Sequence, residues 1–461
     1  MNHSLKRHSA VGLALLGSLL LLPGCDSEPD RSAHTSSNES SLVERFSGTL
    51  SDAKVAPAPS FDVAAVNGRV RLVRELIRWE EGLAENAYVY YEDIPVYFRS
   101  EGEWLAPDAV TGSDDTRAYR MNAMAEYGVN GELLSADKRL NGDRVPLDKD
   151  EPADVMIRGL DLLEATRAQL APPDHCDYNK TLRWQDVLAT VSVSAGDNCD
   201  AGGLKLFVQS GGQRLALTSA RDGVLVDSWL DDFDGDGRAE ILLAITRTTP
   251  AEPGHIKAFR VDEDRLQEIE LGEMSTVDAR GYTGQDIFHV HGNTLLRRFP
   301  LAWSRQDSSQ SGSTPMPRWK RLRYDWGSER WEAAQPPARE GWPDGWRPGE
   351  DWWLSTEGDD SPGRLSWLEN NQLAGQAGCN RFTAGVLRFP GNVVLVGPLA
   401  MTRRACPGLE GEGPLADLSG FWFVERIGEG LRLSSLERSA ELRFLPAPRP
   451  AQPSEAAASS E

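Results

Sequence analysis

The sequence predicts a mainly β fold with minor α-helix, built from several antiparallel β domains. From residue 176 to 335, short segments rich in branched and aromatic residues are bounded by Gly, Asp and Asn, and several of them alternate apolar with polar residues. This alternation is typical of half-buried antiparallel strands. The same pattern resumes from 364 to 446. Between its polar ends the chain is long enough for two or three domains.

The first 30 residues have the pattern of an exported bacterial protein. Lys6 and Arg7 precede an apolar run that ends in Leu22-Pro23-Gly24-Cys25, and this run is too short to span a bilayer comfortably. Small residues directly before a cysteine resemble the bacterial lipobox. The resemblance implies that residues 1–24 are a signal peptide and that Cys25 is acylated, as with palmitate. The alternative is an ordinary signal peptide with an incidental cysteine.

The location and charge of the chain follow from this pattern. A lipid anchor on Cys25 predicts a protein of the Gram-negative cell envelope that faces the periplasm, with the choice of inner or outer membrane left open. The formal net charge is −21 and falls by two more when Lys6 and Arg7 are removed. Such a charge disfavours nucleic acid and would attract a basic protein such as a lysozyme. Acidity that serves only solubility is the alternative.

Residues 25–60 are polar and Ser-rich and predict a disordered tether, and residues 447–461 predict a disordered tail. The region between them begins with residues 61–175, which predict an α+β unit of no recognised family. There the spacing of "VRLVRELIRW" (70–79) predicts a helix, and "AYVYYEDIPVYF" (87–98) predicts a strand interrupted at Pro95.

A second helix is predicted over 152–173, where "PADVMIRGLDLLEATRAQLAPP" begins with Pro152 and ends in a Pro-Pro pair. Residues 176–335 then predict a β domain. Residues 336–363, rich in Trp, Pro and Gly, predict a linker to a last β domain at 364–446.

The acidic loop "DDFDGDGRAE" (231–240) lies in the middle domain. With Asp232 as position 1, acidic side chains stand at positions 1, 3, 5 and 9, a glycine stands at 6, and the backbone carbonyl of position 7 is available. These are the hard oxygen donors that Ca²⁺ prefers, and strand-like flanks predict a strand-loop-strand calcium site rather than an EF-hand. A hydrated Asp/Gly hairpin turn is the alternative. The predicted ligands are Asp232, Asp234, Asp236, Arg238 and Glu240.

Four cysteines remain besides Cys25, an even number that suits disulfides in an oxidising compartment. Their order along the chain suggests two local bridges, although the sequence alone allows three connectivities. The suggested pairs are Cys176 with Cys199 and Cys379 with Cys406.

The last β domain carries a recognisable motif. "AGCNRFTAG" (377–385) followed by "VVLVGPLAMTRRACPG" (393–408) resembles the META domain of the HslJ-like envelope proteins. The resemblance implies a small β domain of the envelope with no established enzymatic chemistry. In it, Cys379 and Cys406 would staple the core, and Asn380 and Thr402 would satisfy backbone groups in tight turns.

The middle domain has a looser resemblance. The loop from Asp232 to Ile241 and the strand Ala258-Phe259-Arg260 resemble the periplasmic lysozyme inhibitor (PliI) family. This resemblance implies that the domain binds a lysozyme. A single repeat of the FG-GAP-like β-propeller type shares the same loop, but only one copy occurs in this chain.

Motifs of common enzymes are absent, since the sequence has no Gly-x-Ser-x-Gly, His-Glu-x-x-His, Gly-x-Gly-x-x-Gly or P-loop. His289 and His291 would supply half of a zinc site, but two polar residues on a solvated strand face are the favoured interpretation. The tryptophans in 303–367 would form a carbohydrate platform or, as we favour, pack between domains.

These observations predict a non-enzymatic envelope lipoprotein with a binding or stress-protection role, similar to a lysozyme inhibitor in its most specific form. Ca²⁺ is expected only as a structural ion. The alternatives are a structural scaffold of an envelope complex and a cell-wall or polysaccharide hydrolase, which would need a pair of carboxylates in one cleft.

Overall fold

The computed structural model describes residues 42–49, 58–107, 116–170, 177–194, 196, 198–247, 252–302, 316–335, 349–355, 363–404 and 414–446. Within these residues the chain is mainly antiparallel β with one α-helix, so the predicted fold class is confirmed. The predicted signal peptide, the C-terminal tail, Cys25, Cys176 and Cys406 lie outside the described residues.

The N-terminal sheet contains eight antiparallel strands in chain order: β1 (Val43–Thr49), β2 (Ser60–Val66), β3 (Arg69–Trp79), β4 (Gly82–Tyr91), β5 (Ile94–Pro107), β6 (Thr116–Tyr127), β7 (Leu133–Leu140) and β8 (Asp143–Arg144). Strand β1 pairs along its whole length with β2. The tether prediction therefore does not hold for Val43–Thr49.

The helix predicted over 70–79 is wrong, because these residues form strand β3. Both faces of the N-terminal sheet are covered, so Leu72 and Val73 are both buried although they point to opposite faces. A strand buried on both sides loses the alternation of apolar and polar residues that identifies a half-exposed strand. Its apolar residues then happened to fit a helical spacing as well.

The predicted strand break at Pro95 is also misplaced. The chain reverses at Glu92 and Asp93, whose φ angles are 49° and 67°, and Pro95 lies inside β5 opposite Tyr90. Two consecutive residues with positive φ are typical of a tight hairpin turn that matches strand twist. This turn holds two acidic side chains at the end of the hairpin.

The single described α-helix, α1 (Glu151–Leu170), confirms the predicted helix. Its apolar side chains, among them Met156, Leu162 and Leu163, pack on one face of the N-terminal sheet against Tyr88 and Tyr90. The hydroxyl of Tyr90 donates a hydrogen bond of 2.7 Å to the carbonyl of Gly159, which fixes the helix against the sheet.

Three four-stranded antiparallel sheets follow. The first contains β9 (Tyr178–Trp184), β10 (Val187–Val193), β11 (Gly202–Ser210) and β12 (Gln213–Arg221). The second contains β13 (Val224–Asp231), β14 (Glu240–Thr246), β15 (His255–Val261) and β16 (Leu266–Ile269). The third contains β17 (Ile287–His291), β18 (Thr294–Pro300), β19 (Trp319–Asp325) and β20 (Arg330–Ala333).

The second of these sheets is covered on both faces. On one face Ile241, Leu243 and Ile245 share a core with the first sheet, and on the other face Leu242 and Ala244 share a core with the third sheet. This arrangement explains why β14 is an almost unbroken apolar run. The acidic loop thus opens from the most buried strand of the middle region.

The C-terminal sheet contains β21 (Asp351–Leu354), β22 (Arg364–Leu368), β23 (Gln372–Ala377), β24 (Asn380–Phe389), β25 (Val393–Val396), β26 (Ala400–Met401), β27 (Gly420–Ile427), β28 (Gly430–Ser435) and β29 (Glu441–Pro446). An additional pairing of β23 with β24 closes the sheet on itself. Strand β21 falls within the predicted linker but pairs with β22 and β29, so the end of that linker belongs to this sheet.

The described tryptophans of the 303–367 region serve mainly as core residues. Trp352 and Trp367 lie in the core of the C-terminal sheet, and Trp331 lies in the core of the third four-stranded sheet. Trp319 packs against the core that the N-terminal sheet shares with α1. Packing, rather than an exposed carbohydrate platform, is therefore the role of these four residues.

Candidate functional site

The acidic loop, residues 231–240, connects β13 to β14, and its ends pair directly through Asp231 and Glu240. Both flanks are strands, so the predicted strand-loop-strand geometry is confirmed. Gly235 and Gly237 have φ angles of 77° and 85°. A side chain at either position would be strained, which accounts for the glycines in this motif.

The structure brings three of the predicted calcium ligands together. One carboxylate oxygen each from Asp232, Asp234 and Glu240 lies within 4.8 Å of the other two. Asp236 is not in this group. The Nε of Arg238 instead donates a 3.0 Å hydrogen bond to Asp236, and this contact lowers the pKa of that carboxyl group.

Backbone hydrogen bonds hold the loop in shape. The two carboxylate oxygens of Asp232 accept from the amides of Gly235 at 2.8 Å and Gly237 at 3.0 Å. One oxygen of Asp234 accepts from the amide of Asp236 at 3.0 Å. Aspartates at alternate positions therefore stabilise successive turns, whether or not an ion is bound.

Arg260, on β15, lies beside the same carboxylates. Its guanidinium pairs with Asp234, and its Nε donates to Glu240 at 3.1 Å. Glu240 is fully buried, and its other oxygen accepts from the amide of Phe233 at 2.9 Å. Burial raises the pKa of Glu240, while these hydrogen bonds favour its ionised form. The three carboxylates fit a hard cation, and Arg260 neutralises part of their charge.

Asn380 and Thr402 of the C-terminal motif satisfy backbone groups, as the sequence predicts. The side-chain oxygen of Asn380 accepts from the amide of Arg404 at 2.7 Å, and the hydroxyl of Thr402 accepts from the amide of Arg381 at 3.0 Å. The Thr402 hydroxyl also lies 3.2 Å from the Asn380 oxygen and donates to it. These contacts fasten β24 to the segment that follows β26.

Cys199 and Cys379 are both disulfide-bonded. Their predicted partners, Cys176 and Cys406, lie outside the described residues. The pairing of the four cysteines therefore stays a prediction.

The sequence did not reveal a second group of charged side chains, the buried ion cluster, formed by Glu92, His289, Arg298 and Arg321. The Nε2 of His289 and the Nη2 of Arg321 lie 2.6 Å and 3.0 Å from the same oxygen of Glu92. All four side chains are buried. The members come from the β4–β5 turn and from β17, β18 and β19. No short sequence motif therefore contains them together.

The protonation of this cluster follows from burial and charge. Burial alone would raise the pKa of Glu92, but its contacts with His289, Arg321 and Arg298 lower it to about 2. Burial lowers the pKa of His289. The expectation of two histidines on a solvated face is wrong for His289, which is buried, whereas His291 is exposed.

Comparison with known proteins adds one family. Residues 346–447 match the model of the META domain, so the C-terminal sheet is a META domain. A search of curated proteins finds no match to this chain.

Among solved structures, the chain is similar to a GH32 beta-fructofuranosidase of Bombyx mori, with 10% identity over 88% of this chain and 86% of that one and a TM-score of 0.23. It is also similar to an exo-beta-1,3-galactanase of Clostridium thermocellum, with 12% identity over 81% of this chain and 92% of that one and a TM-score of 0.19. Similarities at these TM-scores carry no argument about function.

Within the described residues, no helix is both long enough and apolar enough to cross a membrane.

Proposed function

We propose that this chain, with its C-terminal META domain, is a lipid-anchored protein of the Gram-negative envelope that acts by binding and stress protection rather than by catalysis. The META domain supports a stress-related role in the envelope. The lipobox-like sequence that ends in Cys25 supports an anchored, periplasm-facing location.

One observation carries the choice of binding over catalysis: the buried carboxylates are held by arginines. Glu92 contacts Arg321, Asp286 accepts from Arg297 at 2.7 Å, and Glu240 accepts from Arg260. A hydrolase of polysaccharide needs a carboxylic acid that stays protonated near neutral pH to donate to the leaving group. Contacts with His289, Arg321 and Arg298 lower the pKa of Glu92 to about 2, so this carboxylate is ionised at neutral pH, and the oxygens of Asp286 and Glu240 are already engaged by arginines, which suits a stable binding scaffold.

The acidic charge of the chain favours a basic protein as the partner. At a net charge of −21, encounter with a cationic partner would be accelerated and would depend on ionic strength. A lysozyme is such a partner, and the PliI-like loop supports this finer version of the proposal. A scaffold role within an envelope complex is the alternative.

Binding to lysozyme is the experiment that tests this version. The mature chain, carrying Cys25→Ser so that it is soluble, would be titrated against c-type, g-type and invertebrate-type lysozymes, with lysis of cell walls measured in parallel. We expect binding to at least one of them with loss of lysis, weakening steeply as salt is raised.

An acidic protein of similar size, added in place of this chain, controls for nonspecific attraction to the basic lysozyme. If none of the lysozymes binds, the basic-partner version is wrong and the scaffold alternative takes its place. Cell-wall degradation by the chain itself would contradict the non-enzymatic proposal.

We also propose that the acidic loop binds Ca²⁺ as a weak structural clip through Asp232, Asp234 and Glu240. Three carboxylate oxygens within 4.8 Å support this ligand set. Sites of extracellular modules commonly bind Ca²⁺ with dissociation constants of about 10⁻⁴ to 10⁻³ M. The positive charge of Arg260 next to Asp234 favours the weak end of that range.

Calcium is therefore expected to raise the melting temperature of the wild-type chain, and Asp234→Ala is expected to abolish that rise. At 10 mM Ca²⁺ the affinity above corresponds to roughly 1.4–2.7 kcal/mol of stabilisation. The measurement is thermal unfolding in calcium and in chelator. Asp234 also pairs with Arg260, so the loss of stability in chelator measures that ion pair. Only the additional loss of stability in calcium measures the contribution of the bound ion.

Asp264→Ala, an exposed acidic residue in the turn between β15 and β16, is the matched control and is expected to keep the calcium response. If Asp234→Ala loses the same stability in calcium and in chelator, the loop does not bind calcium.

A further inference from the structure

A large cavity lies among the N-terminal sheet, helix α1 and the second and third four-stranded sheets. Its volume is about 1210 Å³, which is enough for an organic ligand rather than a single ion. Arginines are unusually frequent in its wall, given the acidity of the chain. The lining arginines are Arg69, Arg71, Arg167, Arg298 and Arg318.

The positive charge at one end of this cavity is not fully balanced. Four guanidinium groups, those of the lining residues Arg71, Arg167 and Arg298 and that of Arg321, which does not itself line the cavity, lie near only two carboxylates, those of Glu92 and Asp93. When all six groups are ionised, the positive charges exceed the negative charges by two.

The other charged groups around the cavity do not change this sum. Arg69 pairs with Asp227 at 3.2 Å, and Asp286 is paired with Arg297. The exposed side chains of Arg318 and Glu164 carry opposite charges. The excess therefore belongs to the arginines near Glu92 and Asp93.

Two of these arginines have buried N–H groups without a hydrogen-bond partner. Arg298 is only 1% exposed; its Nη2 lies 3.9 Å from Asp93, and its Nε and Nη1 have no hydrogen-bond partner. The Nε of Arg71 is likewise buried without a partner. Burial lowers the pKa of both arginines, that of Arg298 to about 10. A buried guanidinium with unused donors is costly unless a ligand satisfies them.

The rest of the wall is apolar in part. Leu160 and Leu163 of α1, Phe299 of β18 and Trp319 of β19 line the cavity together with the arginines. An acidic group would therefore meet the arginines while an apolar body packs against these side chains. The second oxygen of Glu92 is also buried without a hydrogen-bond partner, and a donor group on the ligand would satisfy it.

We propose that this cavity binds a small amphipathic oxyanion, a carboxylate or phosphate ester with an apolar body, through Arg71 and Arg298. Planar guanidinium groups match the paired oxygens of carboxylate and phosphate and form charge-assisted hydrogen bonds with them. The site is separate from the acidic loop. It does not depend on the envelope role, since it would exist in the chain whether or not Cys25 is acylated.

Calorimetric titration of the mature Cys25→Ser chain tests this proposal. The probes are phenyl phosphate and benzoate as amphipathic anions, inorganic phosphate as an anion without an apolar body, and benzyl alcohol as a neutral analogue. We expect saturable binding of at least one amphipathic anion, with inorganic phosphate and benzyl alcohol at least tenfold weaker.

Arg71→Met and Arg298→Met are each expected to weaken binding at least tenfold. Arg71→Lys is expected to weaken it less, because lysine keeps the positive charge and loses only the planar guanidinium group. Arg74→Met is the matched control, because Arg74 lies on the same strand, pairs with Glu85 and does not line the cavity. It is expected to bind within twofold of the wild type.

If Arg298→Met does not fold, as judged by circular dichroism and melting, Arg71→Met decides the test. The proposal is overturned if the folded wild type binds neither amphipathic anion at millimolar concentration. Equal binding of benzyl alcohol, or equal weakening in Arg74→Met and Arg71→Met, would also overturn it.

Discussion

Glu92→Gln is expected to destabilise the protein by about 3–5 kcal/mol, the usual effect of removing one partner from a buried ion pair. Glu92 is the carboxylate that Arg321 and His289 both contact, and it lies on a turn between two long strands of the N-terminal sheet. Without its charge, the buried guanidinium group of Arg321 loses the carboxylate that it contacts, and that of Arg298 retains Asp93 but loses the second carboxylate near it. Glutamine keeps the size of the side chain, so the effect is not that of a cavity.

The acid sensitivity of the protein should change in the same variant. The pKa of Glu92 is lowered from 4.5 to about 2 in the folded protein, so its stabilisation is complete above pH 4.5 and is lost as the pH falls toward 2. The pKa of His289 is lowered from 6.5 in the folded protein. Below pH 6.5 this histidine is therefore protonated more in the unfolded chain than in the folded one, and stability decreases further as the pH falls. In Glu92→Gln, the free energy of unfolding should no longer fall between pH 4.5 and 2 through protonation of this side chain.

Denaturant unfolding at pH 7 and at several pH values down to 3 measures both effects. Glu85→Ala is the control, because Glu85 forms a more exposed ion pair with Arg74 and its loss should cost less than about 1 kcal/mol. A Glu92→Gln variant as stable as wild type at pH 7 would show that the buried ion cluster does not hold the N-terminal sheet to the third four-stranded sheet.

The second large effect is expected from the cysteines of the META domain. Replacing Cys379 and Cys406 together by serine should destabilise this domain by roughly 3–4 kcal/mol, the entropy of closing a loop of this length in the unfolded chain. Cys379 is disulfide-bonded directly before β24, whose residues pack in the core of the closed sheet. Loss of the bond frees the segment that Asn380 and Thr402 fasten.

Two measurements check this prediction. Peptide mapping without reduction should find Cys379 linked to Cys406 and Cys199 linked to Cys176. Unfolding followed by tryptophan fluorescence should show that the META domain is less stable in the Cys379→Ser/Cys406→Ser chain than in the wild type. The Cys176→Ser/Cys199→Ser chain is the matched control and should leave the transition of the META domain in place. A cross-link between Cys199 and Cys379 would contradict the predicted pairing.

Local patterns predicted the parts of the fold that depend on neighbouring residues. Alternation in "QRLALTSAR" and similar segments identified half-exposed strands, and the Pro-bounded run gave helix α1. The acidic loop followed from residue types at fixed spacing, since aspartate and glycine favour tight turns for local steric and hydrogen-bonding reasons. The motif around Asn380 predicted the META domain, which the family match over residues 346–447 supports.

Where both sides of an element are covered, local patterns fail. Strand β3 is buried on both faces and so fits a helical spacing equally well. Strands β1 and β21 gain their structure by pairing, β1 with β2 and β21 with β22 and β29. Whether apolar and polar residues alternate along a strand depends on what covers its two faces, not on its backbone conformation.

The sequence by itself thus determined the β class, the helix, the acidic loop and the META domain, because each depends on spacing over a few residues. Only the tertiary structure decided that Arg260 faces the loop, that Glu92 meets His289 and Arg321, and that Arg71 and Arg298 share one cavity. Glu92 and Arg321 are 229 positions apart in the sequence. Charges interact through space rather than along the chain, so spacing in the sequence does not show such contacts.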